Sequence, residues 1–357
     1  MAEDRISQLP DEILQHVLSF IDIYEVVETT ILSKRWKNLW RSLLNIRLHI
    51  RSAAAYRRRV FQFLSHRNAA APLHGFHLSL DNEIRVLEDD EAFVEECVLY
   101  AINHSVQSLR LHDLTLSLPA AVFTSTTLRE LELRQRDTRV YVPGRFSLPN
   151  LKTLYLEAPN LNFSSDQGKE LCSGLPELEK LSLRGFSMPG LVLKAPKLRV
   201  LEILESNSLI IQEISAPLLT SFRYEGFSPL ECLMMNLPML EEVYVDILSI
   251  KHNVKGLQVK CARMLQQLGN TTTVSLTLDT LECLDGGPID QSPPFPNIKC
   301  LKVMKGRHKL YRVRKQILKY LTVGTLNFES LTVEFPAGVI MDERNSDNEI
   351  HYIFLFC

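Results

Sequence analysis

Two hydrophobic rhythms divide this chain. Between residues 10 and 43 apolar positions recur at helical spacing: Ile13, Leu14, Val17, Leu18 and Ile21, then Val26, Val27, Ile31 and Leu32, then Trp36, Leu39, Trp40 and Leu43. Steps of one, three and four draw an apolar stripe along one face of each of three short predicted helices. Pro10 suits a first helical turn, where an N–H would go unused, and Asp11 and Glu12 set negative charge at the positive end of the helix dipole. Three helices in so short a stretch make a small core and leave apolar surface over, and a surplus of that kind marks an interface.

From residue 73 onward the rhythm changes to apolar, two of any kind, apolar, one of any kind, apolar. It is clearest at Leu128, Leu131 and Leu133; Leu151, Leu154 and Leu156; Leu178, Leu181 and Leu183; and Leu198, Leu201 and Ile203. Weaker copies follow at Leu219, Phe222 and Tyr224; Leu240, Val243 and Val245; a degenerate one at Leu276 and Leu278; Ile298, Leu301 and Val303; and Phe328, Leu331 and Val333. Two precede, at Leu73, Phe76 and Leu78 and at Val106, Leu109 and Leu111. Successive copies lie roughly 20 to 33 residues apart. Each copy predicts a short strand that turns alternate residues into a coil, and one repeat cannot bury that face without its neighbours. Pro149, Pro176, Pro196, Pro217, Pro238 and Pro296 stand two residues before an apolar start, where proline ends the preceding segment and feeds an extended one.

Residues 46–72 form a joint between the two rhythms. Ile46, Leu48 and Ile50 alternate like a strand, Tyr56 to Leu64 read as a short helix, and little Gly or Ser is present to make a loose linker. Lys315 to Tyr320 read as a helix between the last two strands, after a breaker-rich loop at Gly286-Gly287-Pro288 and Ser292-Pro293-Pro294. The tail from Met341 is polar through Glu349 and then ends in an apolar run, either a strand padding the last repeat or the product of a truncated gene model.

At the N-terminus, the order of residue types is more specific than the periodicity. Asp4-Arg5-Ile6-Ser7-Gln8-Leu9-Pro10-Asp11-Glu12-Ile13-Leu14, followed by Leu32-Ser33-Lys34-Arg35-Trp36-Lys37-Asn38-Leu39-Trp40, resembles an F-box. The later rhythm looks like an irregular leucine-rich-repeat solenoid. It lacks the Asn or Cys that closes a ladder in regular repeats, since Arg136, Pro159, Phe186, Ser206 and Phe227 stand at those positions. Together the two parts resemble the plant-type F-box/leucine-rich-repeat proteins, many of which carry a further C-terminal module that this sequence matches only in part.

That resemblance implies an α/β solenoid: a three-helix F-box at 1–45, the joint at 46–72, irregular leucine-rich repeats with a C-terminal cap at 73–335 in a right-handed coil with a parallel concave sheet, and a tail at 336–357. It implies the substrate-recognition adaptor of a Skp-cullin-F-box ubiquitin ligase, with Leu9, Pro10, Ile13, Leu14, Val17, Leu32, Trp36 and Trp40 on the Skp-type adaptor, a cullin reached through it, and a protein target on the repeats. The alternative is a scaffold or sequestering protein that binds Skp without turnover. On the concave face the middle residue of each strand is exposed, giving Arg110, Glu132, Tyr155, Ser182, Glu202, Arg223, Tyr244, Thr277, Lys302 and Thr332. Tyr155, Arg223 and Tyr244 are the target-binding candidates, since aromatic and Arg side chains dominate interface energetics.

Composition narrows the classes. Of 357 residues 45% are hydrophobic and 23% charged, as in a folded globular chain. Lys and Arg number 40 against 42 Asp and Glu, a net charge of -2 that directs the protein to neither nucleic acid nor an anionic membrane. Arg57-Arg58-Arg59 is flanked by Tyr56, Val60, Phe61 and Leu64, so it reads as the solvated face of a helix. No run reaches the roughly eighteen apolar residues of a membrane span, and the N-terminus does not read as a signal peptide. The seven cysteines are scattered without a C-x-x-C pair, which fits reduced thiols in the cytoplasm or nucleus and no zinc site. No nucleophile elbow, phosphate loop or His-Glu-x-x-His motif occurs; the chain is expected to be non-catalytic, with no cofactor and no metal.

Overall fold

The computed structural model describes residues 6, 8–50, 54–80, 88–114, 118–135, 141–143, 145–157, 160–162, 169–185, 189–206, 210–248, 256–285, 292–307, 310–322, 328–333, 338–344 and 350–355. The chain divides into two compact units, Met1–Phe163 and Ser164–Cys357. Arg136, Pro159 and Phe186, at which a ladder residue is missing, lie outside the described residues, as does the Gly286-Gly287-Pro288 loop.

The first unit opens with helices Asp11–Leu18, Ile23–Glu28 and Trp36–Leu39, joined by a 3-10 turn at Thr29–Ile31. Leu14, Leu18, Ile23, Val26, Trp36, Leu39 and Leu43 are buried. Arg35 ties the third helix back to the start of the first, donating from Nε to Asp11 Oδ1 at 2.7 Å and from Nη2 to the carbonyl of Leu9. Five strands then pair in parallel in chain order: Asn45–Ile50, Gly75–Leu80, Ser108–Leu114, Glu130–Gln135 and Thr153–Glu157. The stretch expected to be a joint therefore supplies the sheet's first strand, and helix Ala54–His66 crosses from it to the second. Helix Glu88–Asn103 makes the next crossing, burying Phe93, Val94, Cys97, Val98 and Ala101.

Asp22 joins the helices to the sheet edge. It caps the second helix by accepting from Tyr24 N at 2.7 Å, while its other oxygen accepts from His49 N at 2.6 Å and from the Tyr56 hydroxyl at 3.0 Å. His49 lies on the outermost strand, and an amide on that side would otherwise lack a partner. Arg67, also buried, donates to the carbonyls of Leu43 at 2.9 Å and Pro72 at 2.7 Å.

Among the described residues, the main sheet of the second unit has seven strands, again parallel and in chain order: Lys180–Arg184, Val200–Ser206, Ser221–Gly226, Glu242–Ile247, Thr273–Thr277, Cys300–Met304 and Ser330–Val333. Behind them Lys169–Glu170, Leu191–Lys194, Ile210–Ser215 and Glu231–Asn236 build a second parallel sheet that sequence reading did not anticipate. Helices Leu257–Gln267, Leu278–Leu284 and Lys315–Thr322 complete the layer. Ile350–Leu355 pairs antiparallel with both Leu310–Arg314 and Gly338–Arg344.

One hydrogen-bond device recurs in both units. In Leu148-Pro149-Asn150-Leu151 the Leu151 amide donates back to the Leu148 carbonyl, and the same turn forms at Leu175 to Leu178, Ala195 to Leu198, Ala216 to Leu219, Leu237 to Leu240 and Phe295 to Ile298. Proline at the second turn position has its φ already set. Just past each turn a single carbonyl accepts two successive amides from the following repeat: Glu179 from Arg199 and Val200, Arg199 from Thr220 and Ser221, Thr220 from Glu241 and Glu242. Within each unit, successive strands thus start at the same level.

Two copies of the pattern depart from expectation. Thr271, Val274 and Leu276 form the degenerate repeat, with the buried Thr271 hydroxyl satisfied by the Leu268 carbonyl at 2.6 Å. Leu278 belongs instead to the following helix. In the last copy Phe328 and Leu331 remain exposed, since no further strand of that sheet follows among the described residues.

Candidate binding surfaces

The N-terminal stripes are wider than their core. Ile13 and Val17, one turn apart, are 47% and 49% exposed; Ile31 and Leu32 reach 86% and 62%. Pro10 is exposed, and Leu9 and Trp40 are half-buried, the Trp40 ring tilted against Phe63 with ring centroids 4.7 Å apart. Leu14 and Trp36 were expected to touch a partner, but at 1% and 7% exposure they fill the chain's own helical core. Their contribution is to hold the ridge of Ile13, Val17, Ile31 and Leu32 in place. Ile31 was missed because its place in the stripe looked like core, yet on the 3-10 turn it points outward.

The exposed row of the first unit runs Arg47, His77, Arg110, Glu132 and Tyr155, one residue per strand in register. Sequence reading began it at Arg110. Arg47 and His77 are legible as the residues between Ile46 and Leu48 and between Phe76 and Leu78. Beside this row, His77 Nε2 lies 3.1 Å from His112 Nδ1, and His112 donates from Nε2 to Glu132 at 2.9 Å. The His112 hydrogen bond, joined by Arg134, holds the Glu132 carboxyl down at about 2. His77 is pushed down to about 4 by burial first, then by His112, Arg47 and Arg110, against a smaller pull from Glu132. Tyr155 donates to Glu157 at 2.9 Å and lies under the Arg134 guanidinium, 5.1 Å from its ring centroid.

In the second unit the row is Ser182, Glu202, Arg223, Tyr244, Ser275, Lys302 and Thr332; Ser182, expected to be exposed, is buried and donates to Glu202. Ser275 takes the place expected for Thr277, which instead caps the following helix and donates to Asp246 at 2.7 Å. Two of the three target-binding candidates meet on neighbouring strands: Arg223 stacks over Tyr244 at 4.2 Å while pairing with Glu225. Tyr155 belongs to the other unit. Burial, then Asp246 and Glu225, push the Tyr244 hydroxyl up to about 12, so it is a hydrogen-bond donor at neutral pH. Asp246 is raised by burial and by Asp279 and Glu225. The face is polar and mixed in sign, and among the described residues no group of three or more His, Cys, Asp or Glu side chains is placed to hold a metal. No helix among them is long and apolar enough to cross a membrane.

Comparison with known proteins adds identity to this geometry. The F-box domain family matches residues 6–48. An F-box/LRR-repeat protein of Arabidopsis thaliana is 31% identical over 297 residues, covering 78% of this chain and 92% of the relative. A second, an F-box/FBD/LRR-repeat protein from the same plant, is 27% identical over 79% of this chain and 68% of its own length. A third, another Arabidopsis F-box/LRR-repeat protein, is 27% identical over 92% of this chain and 74% of its own.

Proposed function

We propose, from the premise that this chain belongs to the F-box/LRR-repeat family, that it is the substrate-recognition adaptor of a Skp-cullin-F-box ubiquitin ligase. The observation that carries this reading is the ridge of Ile13, Val17, Ile31 and Leu32, left exposed beside a core of Leu14, Leu18, Ile23, Val26, Trp36 and Leu39. An apolar ridge on a unit that already has a core is surface kept for a partner. A Skp-type adaptor covers the ridge, with Leu9, Pro10 and Trp40 at its margin and a cullin joined through it. The rows of exposed strand residues hold a protein target, with Arg223 and Tyr244 as a stacked pair and Tyr155 as a separate contact. The chain supplies proximity and another subunit supplies the chemistry, which needs no catalytic residue here.

Co-purification with a Skp-type adaptor tests the reading. Leu32→Asp puts a charge on the ridge without touching the core and is expected to weaken capture at least a hundredfold while the chain melts as wild type. Equal capture by wild type and Leu32→Asp would sink the interface. Ubiquitin transfer to a captured partner then separates turnover from scaffolding: a partner that is bound yet never modified by the reconstituted ligase favours the sequestering role.

A further inference from the structure

A cleft of about 220 Å³ opens where the first helix meets the first strands of the sheet, its walls including His16, Phe20, Arg47, His77 and Arg110. Its floor is the start of three adjacent strands, Asn45, Gly75 and Ser108. A Cβ at Gly75 would stand 2.5 Å from the Asn45 side-chain oxygen, so a side chain there would push the Asn45 amide aside. The floor therefore offers the Asn45 amide with little side-chain bulk above it, while the Ser108 hydroxyl donates to Glu130.

The two cations around this floor differ: Arg110 is ion-paired with Glu130 and Glu132, whereas Arg47 has no acidic partner among the described residues. Arg110 approaches Glu130 only to 3.9 Å and Glu132 to 3.5 Å, beyond good hydrogen-bonding range. Both carboxylates are already engaged, Glu130 by Ser108 at 2.9 Å and Glu132 by His112 and Arg134. The nearby end of the first helix would oppose an anion if its last carbonyls faced the cleft. They do not stand free: His16 O accepts from the Ser19 amide and hydroxyl, Val17 O from Phe20, and Leu18 O from Ile21. Burial first and then His112 depress His77, with Arg47 and Arg110 adding to the effect and Glu132 opposing it.

We propose that this cleft binds a single carboxylate or phosphate group, clamped between Arg47 and Arg110 over Asn45 and Ser108, and carried by an acidic segment of the captured protein partner. Guanidinium forks suit both oxyanions, which present paired oxygens to paired N–H donors. The cavity has room for one side chain and no more. The exposed Phe20 ring, edge-on to His16 at 4.8 Å, offers an apolar wall to the stem of that side chain. This assignment rests on the reading that the repeats hold a protein target, and it adds a chemical requirement: the target presents an isolated acidic or phosphorylated residue.

The test is selection of a bead-displayed random peptide library, including phosphoserine, on the full-length chain. Expected is enrichment of peptides with one Asp, Glu or phosphoserine at a fixed position, falling at least tenfold with Arg47→Gln and with Arg110→Gln, and partly restored by Arg47→Lys. Arg47 is exposed, so thermal melting of its variants is expected to match wild type and to separate lost binding from lost folding. Selection with no acidic preference, or undiminished by both variants, overturns the proposal. Millimolar inorganic phosphate is titrated in parallel; if it raises the melting temperature through Arg47 while no peptide is enriched, the site takes a free anion and the peptide assignment falls. Skp-adaptor capture is scored on the same wild-type preparation. A chain that captures the adaptor without selecting acidic peptides sinks the cleft alone, whereas one failing both readouts sinks the adaptor reading.

Discussion

Replacing Asp22 measures how firmly the N-terminal helices are fixed to the sheet. Its carboxylate makes three hydrogen bonds that meet on no other side chain: the cap on Tyr24 N, the His49 amide of the edge strand, and the Tyr56 hydroxyl. Loss of a helix cap costs about 1 kcal/mol. A hydrogen bond to a charged group contributes about 1.5–3 kcal/mol, less where water can replace it. Since the three share one carboxylate and do not add in full, Asp22→Ala should destabilise this region by about 3–4 kcal/mol. Both tryptophans of the chain, Trp36 and Trp40, lie in these helices, so intrinsic fluorescence during urea unfolding reports on this region. With a slope of about 2 kcal/mol/M, the midpoint should fall by about 1.5–2 M. Asp22→Asn keeps the cap but turns an amide donor toward the His49 N–H or the Tyr56 hydroxyl, and is expected to lose about 2 kcal/mol; Tyr56→Phe should lose about 1. A stability of Asp22→Ala by fluorescence within about 0.5 kcal/mol of wild type would refute the hub.

Acidification is expected to weaken the first unit in two stages. The unfolded chain takes up a proton at His77 from pH 6.5 down to about 4, where the folded site refuses it. Glu132 stabilises above pH 4.5, and that contribution is lost as pH falls toward about 2. Each shift corresponds to about 3 kcal/mol before screening by nearby water, and to about 1–2 kcal/mol after it. Urea midpoints measured by circular dichroism from pH 7.5 to 3 should show the first stage vanish in His77→Asn; an unchanged pH profile would contradict the cluster. Separately, Leu154→Asp places an unpaired charge at a fully buried position and should cost about 3–5 kcal/mol. Limited proteolysis is expected to cut the first unit of this variant, and a native-like pattern would refute the strand register.

The spine strands were legible because their burial alternates within a fixed frame that hydrophobicity alone reveals. The three N-terminal helices were legible for the same reason, but not which side of their stripes would face outward: Ile13 and Leu14 are equally apolar, and only packing against the third helix separates them. The register slip at Thr277 has a specific source. Thr271 occupies the site where a leucine normally announces a repeat, and Leu276 and Leu278 imitate the end of a strand although the second begins a helix. The crossing helix at Glu88–Asn103 did leave a signal, an acidic first turn followed by Phe93, Val94, Cys97, Val98 and Ala101 at helical steps. The rear sheet left less, because its strands are short and lack the repeated leucine frame. The cleft at Arg47 depends on contacts between the first helix and three strands, which no local spacing encodes.

The shared carbonyls that level the strands also set a ruler. Rungs in a parallel sheet stand about 4.8 Å apart, whereas an extended chain advances about 3.4 Å per residue. A peptide laid across the seven strands of the second unit therefore drifts out of step with the rungs and regains coincidence only after about three of them, roughly four of its own residues. A partner held there, as proposed, would be read at intervals, like the two scales of a vernier, and the side chains between coincidences would go unread. Recognition on this spine would thus be written in sparse anchors at a fixed pitch, tolerant of almost any sequence in between.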